Sequence, residues 1–355
     1  MHRPTRPPYT LLPCVLFVLS LGACGGGGGG DSSTTSGQTG SGTSSAASAS
    51  QTSSARSASS TSSSGNANSS SAGSSSSSSG LYQSAPLVSS CIAGQLQASE
   101  KNSVLTRLNE IRARHGLPAV SYDSSGDAAA AAAALYMVAN ETLTHTPSSS
   151  GKCYSEDAYR LANTSNLYTS WGYSTVTTPS ADAMVSYLID SGVSSLGHRR
   201  WLLYPFFAAT SFGRVDSAPA GGTGRMASAL RTIGGEASSV SMSNDFVAYP
   251  YGSYPASEFS TSWFLSFSAI ASKTNRANNG GSQVSFAGAT ITVTDGNGQS
   301  LGITEQSANY EGYGLPNHLQ WKVVGLANGG SYTVRIAGVN VNGTSRDYQY
   351  AFQLR

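Results

Sequence analysis

Two histidines in this chain stand where an imidazole could do chemistry. His145 lies in Leu143-Thr144-His145-Thr146-Pro147, directly after an alanine-rich run, and His198 lies in Ser195-Leu196-Gly197-His198-Arg199-Arg200-Trp201. If Ser195 caps a short helix, His198 falls in its first turn, where the positive end of the dipole disfavours imidazolium. A neutral imidazole there can take up a proton, accept a hydrogen bond or bind a metal. His115 precedes the helix-stopping Gly116, and His318 follows Leu315-Pro316-Asn317. Both of these read as structural residues.

The stretches around these residues carry a resemblance. An Arg-His-Gly-Leu-Pro segment within Leu108–Tyr122, then Leu143–Pro147, then Gly197–Leu203, occur in the order found in a bacterial member of the CAP superfamily, also called SCP/PR-1-like. The group is named for cysteine-rich secretory proteins, antigen 5 and plant pathogenesis-related proteins. The resemblance spans roughly residues 95–250. It implies an α+β fold, an α-β-α sandwich with a central antiparallel sheet, and a surface groove near His145 and His198. It further implies that these two histidines are the candidate ligands where a relative binds a divalent metal such as zinc. The family's Gly-Glu-Asn stretch corresponds here to Thr164-Ser165-Asn166, so Ser165 replaces the groove carboxylate and Asn166 is kept. Glu156, Asp157 and Asp182 are the acids that could substitute for it.

Other catalytic signatures are absent from the sequence. There is no HExxH helix for a zinc hydrolase and no Gly-x-Ser-x-Gly elbow. A cysteine hydrolase would need Cys153 as a free nucleophile with His145 as its base. The four cysteines leave little room for that. Arg3 and Arg6 precede the apolar run Leu11–Leu21, which reads as a secretory signal peptide of residues 1–23. The run ends in Leu21-Gly22-Ala23-Cys24, a lipobox-like site that would make Cys24 a lipidated N-terminus. Cys14 leaves with the signal, and Cys91 and Cys153 remain in a compartment where disulfides persist. Gly25 in place of Asp points to the outer membrane if the host has one.

Residues 24–85 form a Gly/Ser-rich segment whose charges are Asp31 and Arg56. Such a stretch cannot offset its ordering entropy and is expected to be a disordered stalk reaching roughly 40 Å on average. A CAP-like domain is expected over residues 90–250. Ser103 could cap a helix through Val104, Leu105, Leu108 and Ile111. A second helix should start near Asp127 and run through seven alanines, a third should cover 182–190, and a fourth should run from Ser195 to Leu203. From residue 255 to 355 short segments alternate at period two. Ala289, Ile291 and Val293 face one way, and Asp295-Gly296-Asn297-Gly298 reads as a hairpin turn toward Leu301 and Ile303. Tyr332, Val334 and Ile336, then Tyr348, Tyr350, Phe352 and Leu354, repeat the alternation, as in a small antiparallel β-sandwich. Tyr249, Tyr251, Tyr254 and Trp263 are expected to pack the junction between the two parts.

Lys plus Arg number 20 against 18 Asp plus Glu, with no basic run past the signal, so nucleic acid is not an expected partner. The reading is a lipid-anchored cell-envelope protein displaying a recognition module. Its groove, walled by His145, His198, Ser165 and Asn166, would bind a small apolar ligand, a peptide or a glycan. The alternatives are a metal-dependent or cysteine hydrolase using His145 and His198, or an adhesion protein acting through its β-sandwich.

Overall fold

The computed structural model describes residues 80–173, 179–217 and 224–355. The signal peptide, Cys24 and almost all of the stalk lie outside them. No helix among the described residues is long and apolar enough to cross a membrane.

The first part runs β1 (Tyr82–Ser84), β2 (Gln95–Leu96), α1 (Ala98–Arg114), β3 (Ser121–Tyr122), α2 (Asp127–Asn140) and α3 (Glu156–Asn163). It continues with β4 (Ser165–Tyr173), α4 (Asp182–Ile189), α5 (Gly197–Leu202), β5 (Ala209–Thr210), β6 (Phe212–Ser217) and β7 (Gly224–Arg231). α2 and α4 start where expected. α1 begins six residues earlier than the Ser103 cap suggests; Ser103 sits inside the helix and donates to the Glu100 carbonyl at 2.9 Å. A serine can turn its hydroxyl back onto its own helix instead of capping it. α3 is not among the helices expected from the sequence; Ser155 caps it by accepting from the Ala158 N–H at 3.1 Å.

β4, β7 and β6 form an antiparallel sheet with β7 in the centre. Alternate residues feed two apolar clusters. Leu167, Val215, Ala227 and Ala229 pack with α2 and α3, while Phe212 and Leu230 join the cluster that holds α1 and α4. The alanine run lets α2 lie close against the sheet. A Cβ on Gly213 of β6 would fall 2.1 Å from the Ala131 nitrogen, so only glycine fits there.

The second part runs β8 (Phe246–Tyr249), β9 (Gly252–Tyr254), β10 (Leu265–Ala269), β11 (Val284–Ser285) and β12 (Thr290–Asp295). It ends with β13 (Ile303–Asn309), β14 (His318–Val323), β15 (Ser331–Val341) and β16 (Thr344–Leu354). One sheet has the order β13-β14-β10-β8; the other has β11-β15-β16-β9, with β12 also on β15. The alternation is realised: Tyr332, Val334, Ile336, Tyr348, Tyr350, Phe352 and Leu354 are all buried. Two features differ from expectation. β16 pairs in parallel with β9. The Asp295 turn reverses the chain as expected, with Thr294 bridged to Ser300 and the Leu301 N–H on the Val293 carbonyl at 2.8 Å, but β12 and β13 then part: β12 pairs with β15, and β13 with β14 in the other sheet. Cross-strand pairs of Ile291 with Ile336 and of Val293 with Val334 hold β12 in its sheet.

All described residues belong to one compact unit. The larger apolar cluster runs from Tyr82 and Leu108 to Trp321 and Leu354. Strand β8, which precedes residue 255, shares a sheet with β10, which follows it. Polar groups cross the same junction. Glu258, buried, pairs with Arg107 at 2.7 Å and with Arg114, both on α1. His115 bonds the Ala248 carbonyl at 2.8 Å and the Tyr254 hydroxyl at 3.1 Å. Burial holds this imidazole down to about 3, so it is neutral and structural.

Cys91 and Cys153 are disulfide-bonded and 62 residues apart. This overturns the cysteine-hydrolase reading, since the sulfur that would attack is already bonded. Replacing both by serine is expected to cost about 4 kcal/mol of unfolding free energy for a loop of this length, measured by urea denaturation. Arg112, fully buried, donates to five main-chain carbonyls, those of Pro118, Leu202, Tyr204, Pro205 and Phe207. Arg112→Leu would strip those carbonyls of their donors and is expected to cost at least about 3 kcal/mol in the same assay.

Candidate functional site

α5 is built to present His198. Leu196, not Ser195, precedes the helix, and it takes a left-handed turn at φ 50°. The capping role falls to Asp190, just past α4, whose Oδ2 accepts the N–H groups of His198 at 3.0 Å and Arg199 at 3.2 Å. Its Oδ1 accepts from His198 Nδ1 at 2.8 Å. Asp190 is itself buried, and its main-chain oxygen accepts from the Trp263 indole at 3.1 Å.

The Asp190 contact reverses the expectation drawn from the helix dipole. Burial works to lower the His198 pKa, but the charge of Asp190 and its hydrogen bond outweigh burial and raise it above the ordinary value. A carboxylate in direct contact acts more strongly than the partial charge of one short helix.

His145 is anchored differently. Its Nδ1 meets the Ala162 carbonyl at 2.8 Å, at the end of α3. Burial pulls its pKa down, the Ala162 carbonyl pulls it up, and the charge of His198 pulls it down further. The two histidines are thus within electrostatic reach of each other although 53 residues separate them in the chain. Each δ nitrogen faces an oxygen that only accepts, so each donates. In the neutral form each ring then keeps a lone pair on Nε2.

Asn166 and Tyr187 brace this arrangement. Asn166, buried on β4, donates to the His198 carbonyl at 3.0 Å and receives the Tyr187 hydroxyl on its own carbonyl at 3.0 Å. The Tyr187 ring lies 5.2 Å from the His198 ring. Ser165 is buried, and its Oγ has no hydrogen-bond partner among the described residues. Strand alternation turns it to the face of Leu167, opposite Asn166.

The acids considered as replacements for the missing carboxylate are elsewhere. Glu156 is exposed and accepts from the Tyr154 hydroxyl, Asp157 is exposed and pairs with Arg160, and Asp182 is exposed at the start of α4. Asp190 is the acid at the site. Eight residues would put the two about 12 Å apart along a helix and about 26 Å apart along a strand, so only the turn between α4 and α5 brings them together. A resident zinc does not fit this donor set. A metal site needs three protein ligands, and no group of three His, Cys, Asp or Glu among the described residues could hold one.

Residues 105–223 match the model of the cysteine-rich secretory protein family, CAP. That match covers about a third of the chain and supports a CAP domain there. The matched segment contains His145, Asn166, Asp190 and His198, and it ends one residue before β7. No curated protein matches the chain. Among solved structures, an extracellular protein containing an SCP domain from Bacillus anthracis str. Ames is similar at 19% identity, with a TM-score of 0.26. That likeness covers 39% of this chain and 42% of the other, so the chain spans less than half of that relative.

The two histidines should titrate apart. The NMR midpoint of His198 is expected above 6.5 and that of His145 below it, and Asp190→Asn should bring His198 down. The linkage follows. The raised His198 contributes stability that is full below 6.5 and lost as pH rises through its folded midpoint; the lowered His145 contributes stability that is lost on acidification. In wild type the two oppose each other. Urea midpoints of Asp190→Asn, compared at pH 8 and pH 5.5, should therefore fall more on acidification than those of wild type.

Proposed function

We propose that this protein is an extracytoplasmic recognition module whose ligand is held between His145 and His198. One observation carries this reading: His198 is anchored through Nδ1 on Asp190 and His145 through Nδ1 on the Ala162 carbonyl, and Nε2 of each ring bonds no described residue. Two fixed acceptors on one site suit a ligand that brings N–H or O–H donors. A small apolar molecule with a hydroxyl, a peptide or a glycan each meets that requirement. Residues 24–85 would act as the tether, with Cys24 lipidated and the head held away from the membrane. The α-β-α sandwich of CAP proteins fits the division of sheet residues between two helix-bearing clusters.

Melting temperature, followed for the full-length protein against sterol, peptide and sugar panels, tests the reading. A saturating ligand at a hundred times its Kd should add about 2.7 kcal/mol of stability. His145→Ala and His198→Ala should each remove that gain, and so should acidification below the His198 midpoint. Ligands that stabilise both variants as well as wild type would show that binding lies elsewhere.

The Asp190 hydrogen bond favours a second reading, a hydrolase in which Nε2 of His198 takes up a proton in the reaction. A carboxylate that orients the ring and stabilises imidazolium is what a general base requires. Turnover of ester or amide substrates that drops by at least about a hundredfold in His198→Ala would favour it over simple binding.

A further inference from the structure

α5 carries a second feature three residues beyond His198. Trp201 and Tyr204 line a cavity of about 280 Å3, together with Glu236, Arg276, Gly314 and Pro316. The two aromatic rings stand perpendicular with centroids 5.9 Å apart, which makes an apolar corner. Tyr204 is 7% exposed, and its hydroxyl, which bonds no described residue, is not among the buried polar atoms and so reaches the solvent of the cavity. Arg276 and Glu236 line the same cavity as this phenol. Burial pushes its pKa up to about 12, so it is a neutral hydroxyl able to donate and accept. The Trp201 indole N–H likewise has no partner among the described residues.

The polar wall of the cavity is preformed. Arg276 Nη1 meets Glu236 Oε2 at 3.0 Å, and Glu236 also accepts the Gly234 N–H at 3.2 Å. The loop that carries Arg276 is fixed from within by Asn279, which donates to the carbonyls of Ser272, Asn275 and Arg276. Asn279's own carbonyl accepts from buried Asn317 at 2.7 Å. On the opposite wall a Cβ at Gly314 would fall 2.6 Å from the Arg200 oxygen, so this position keeps the chain against α5.

From these observations we propose that the Trp201–Tyr204 cavity is a binding site for a neutral sugar ring, separate from the His145–His198 site. Its walls match the two aspects of a sugar: an apolar C–H face for the aromatic corner, and a hydroxyl edge for donors and acceptors. Pairing of Arg276 with Glu236 cancels their charge, which disfavours a free anion or cation and leaves a set of directional hydrogen-bonding groups. The cavity lies just below the roughly 300–1,000 Å3 of sites that hold drug-sized ligands, so it suits one ring or the terminal unit of a chain. The site does not depend on the histidine reading.

Saturation-transfer NMR on the full-length protein, in a zwitterionic detergent free of sugar, tests this with glucose, galactose, N-acetylglucosamine and N-acetylgalactosamine as probes. At least one should bind saturably with a millimolar Kd. Tyr204→Phe keeps the ring and removes the hydroxyl, and should weaken binding by about fivefold, the equivalent of one neutral hydrogen bond. Arg276→Gln should weaken it further. The histidine titrations should be the same in Tyr204→Phe as in wild type, which separates failure of this site from failure of the other. The proposal is overturned if no probe binds, if inorganic phosphate binds more tightly than every sugar, or if Tyr204→Phe and Arg276→Gln both bind as wild type does.

Discussion

Arg199 follows the site histidine and is fully buried, and its guanidinium reaches across the molecule. It donates to the Leu188 and Ile189 carbonyls at the end of α4, to the Phe264 carbonyl and to the Ser266 hydroxyl, and it stacks 4.0 Å from the centre of the Tyr249 ring. Arg200 extends the same device toward Leu315, Asn309 and Glu311. Arginine suits this role because its planar fork offers five donors and stays charged when buried. A buried charge is tolerable only when it is paired or fully hydrogen-bonded. These two side chains therefore hold α5 in one position, and they do so only if β10, β13 and the Leu315 loop are in place.

This ties the C-terminal sheets to the histidine site. α5 is six residues long and could not hold itself in water. It is held by Asp190 at one end and by the arginine contacts to the sheets along its length. Arg112 acts in the same way on the segment after α5, gathering carbonyls from Leu202 to Phe207. The C-terminal strands thus position the site from behind as well as adding a surface of their own. Tyr249, Tyr254 and Trp263 contribute there as packing and hydrogen-bonding groups, as their buried or partnered state shows.

Much of the fold could be read from residue pattern. The alanine run of α2, the apolar spacing of α4 and the alternation of β15 and β16 are local periodicities, and burial on one face enforces them. The same holds for the two cysteines, whose bonding followed from compartment and number. The histidine site was half legible: His145, His198 and Asn166 could be named, but Asp190 could not. At His198 the carboxylate that caps the helix outweighs the helix dipole. Glu156, Asp157 and Asp182 drew attention by proximity in sequence, which says nothing about position once a chain turns back on itself.

Sequence alone thus determined the elements and the residue types available, since helix and strand periods, cysteine count and the order of short motifs are properties of neighbouring residues. Tertiary structure decided which acid meets His198, which way Ser165 faces, and that β12 and β13, joined by the Asp295 turn, go to different sheets. Those outcomes depend on burying apolar faces and satisfying buried guanidinium and carbonyl groups from distant segments at the same time. No local window contains both partners of such a contact.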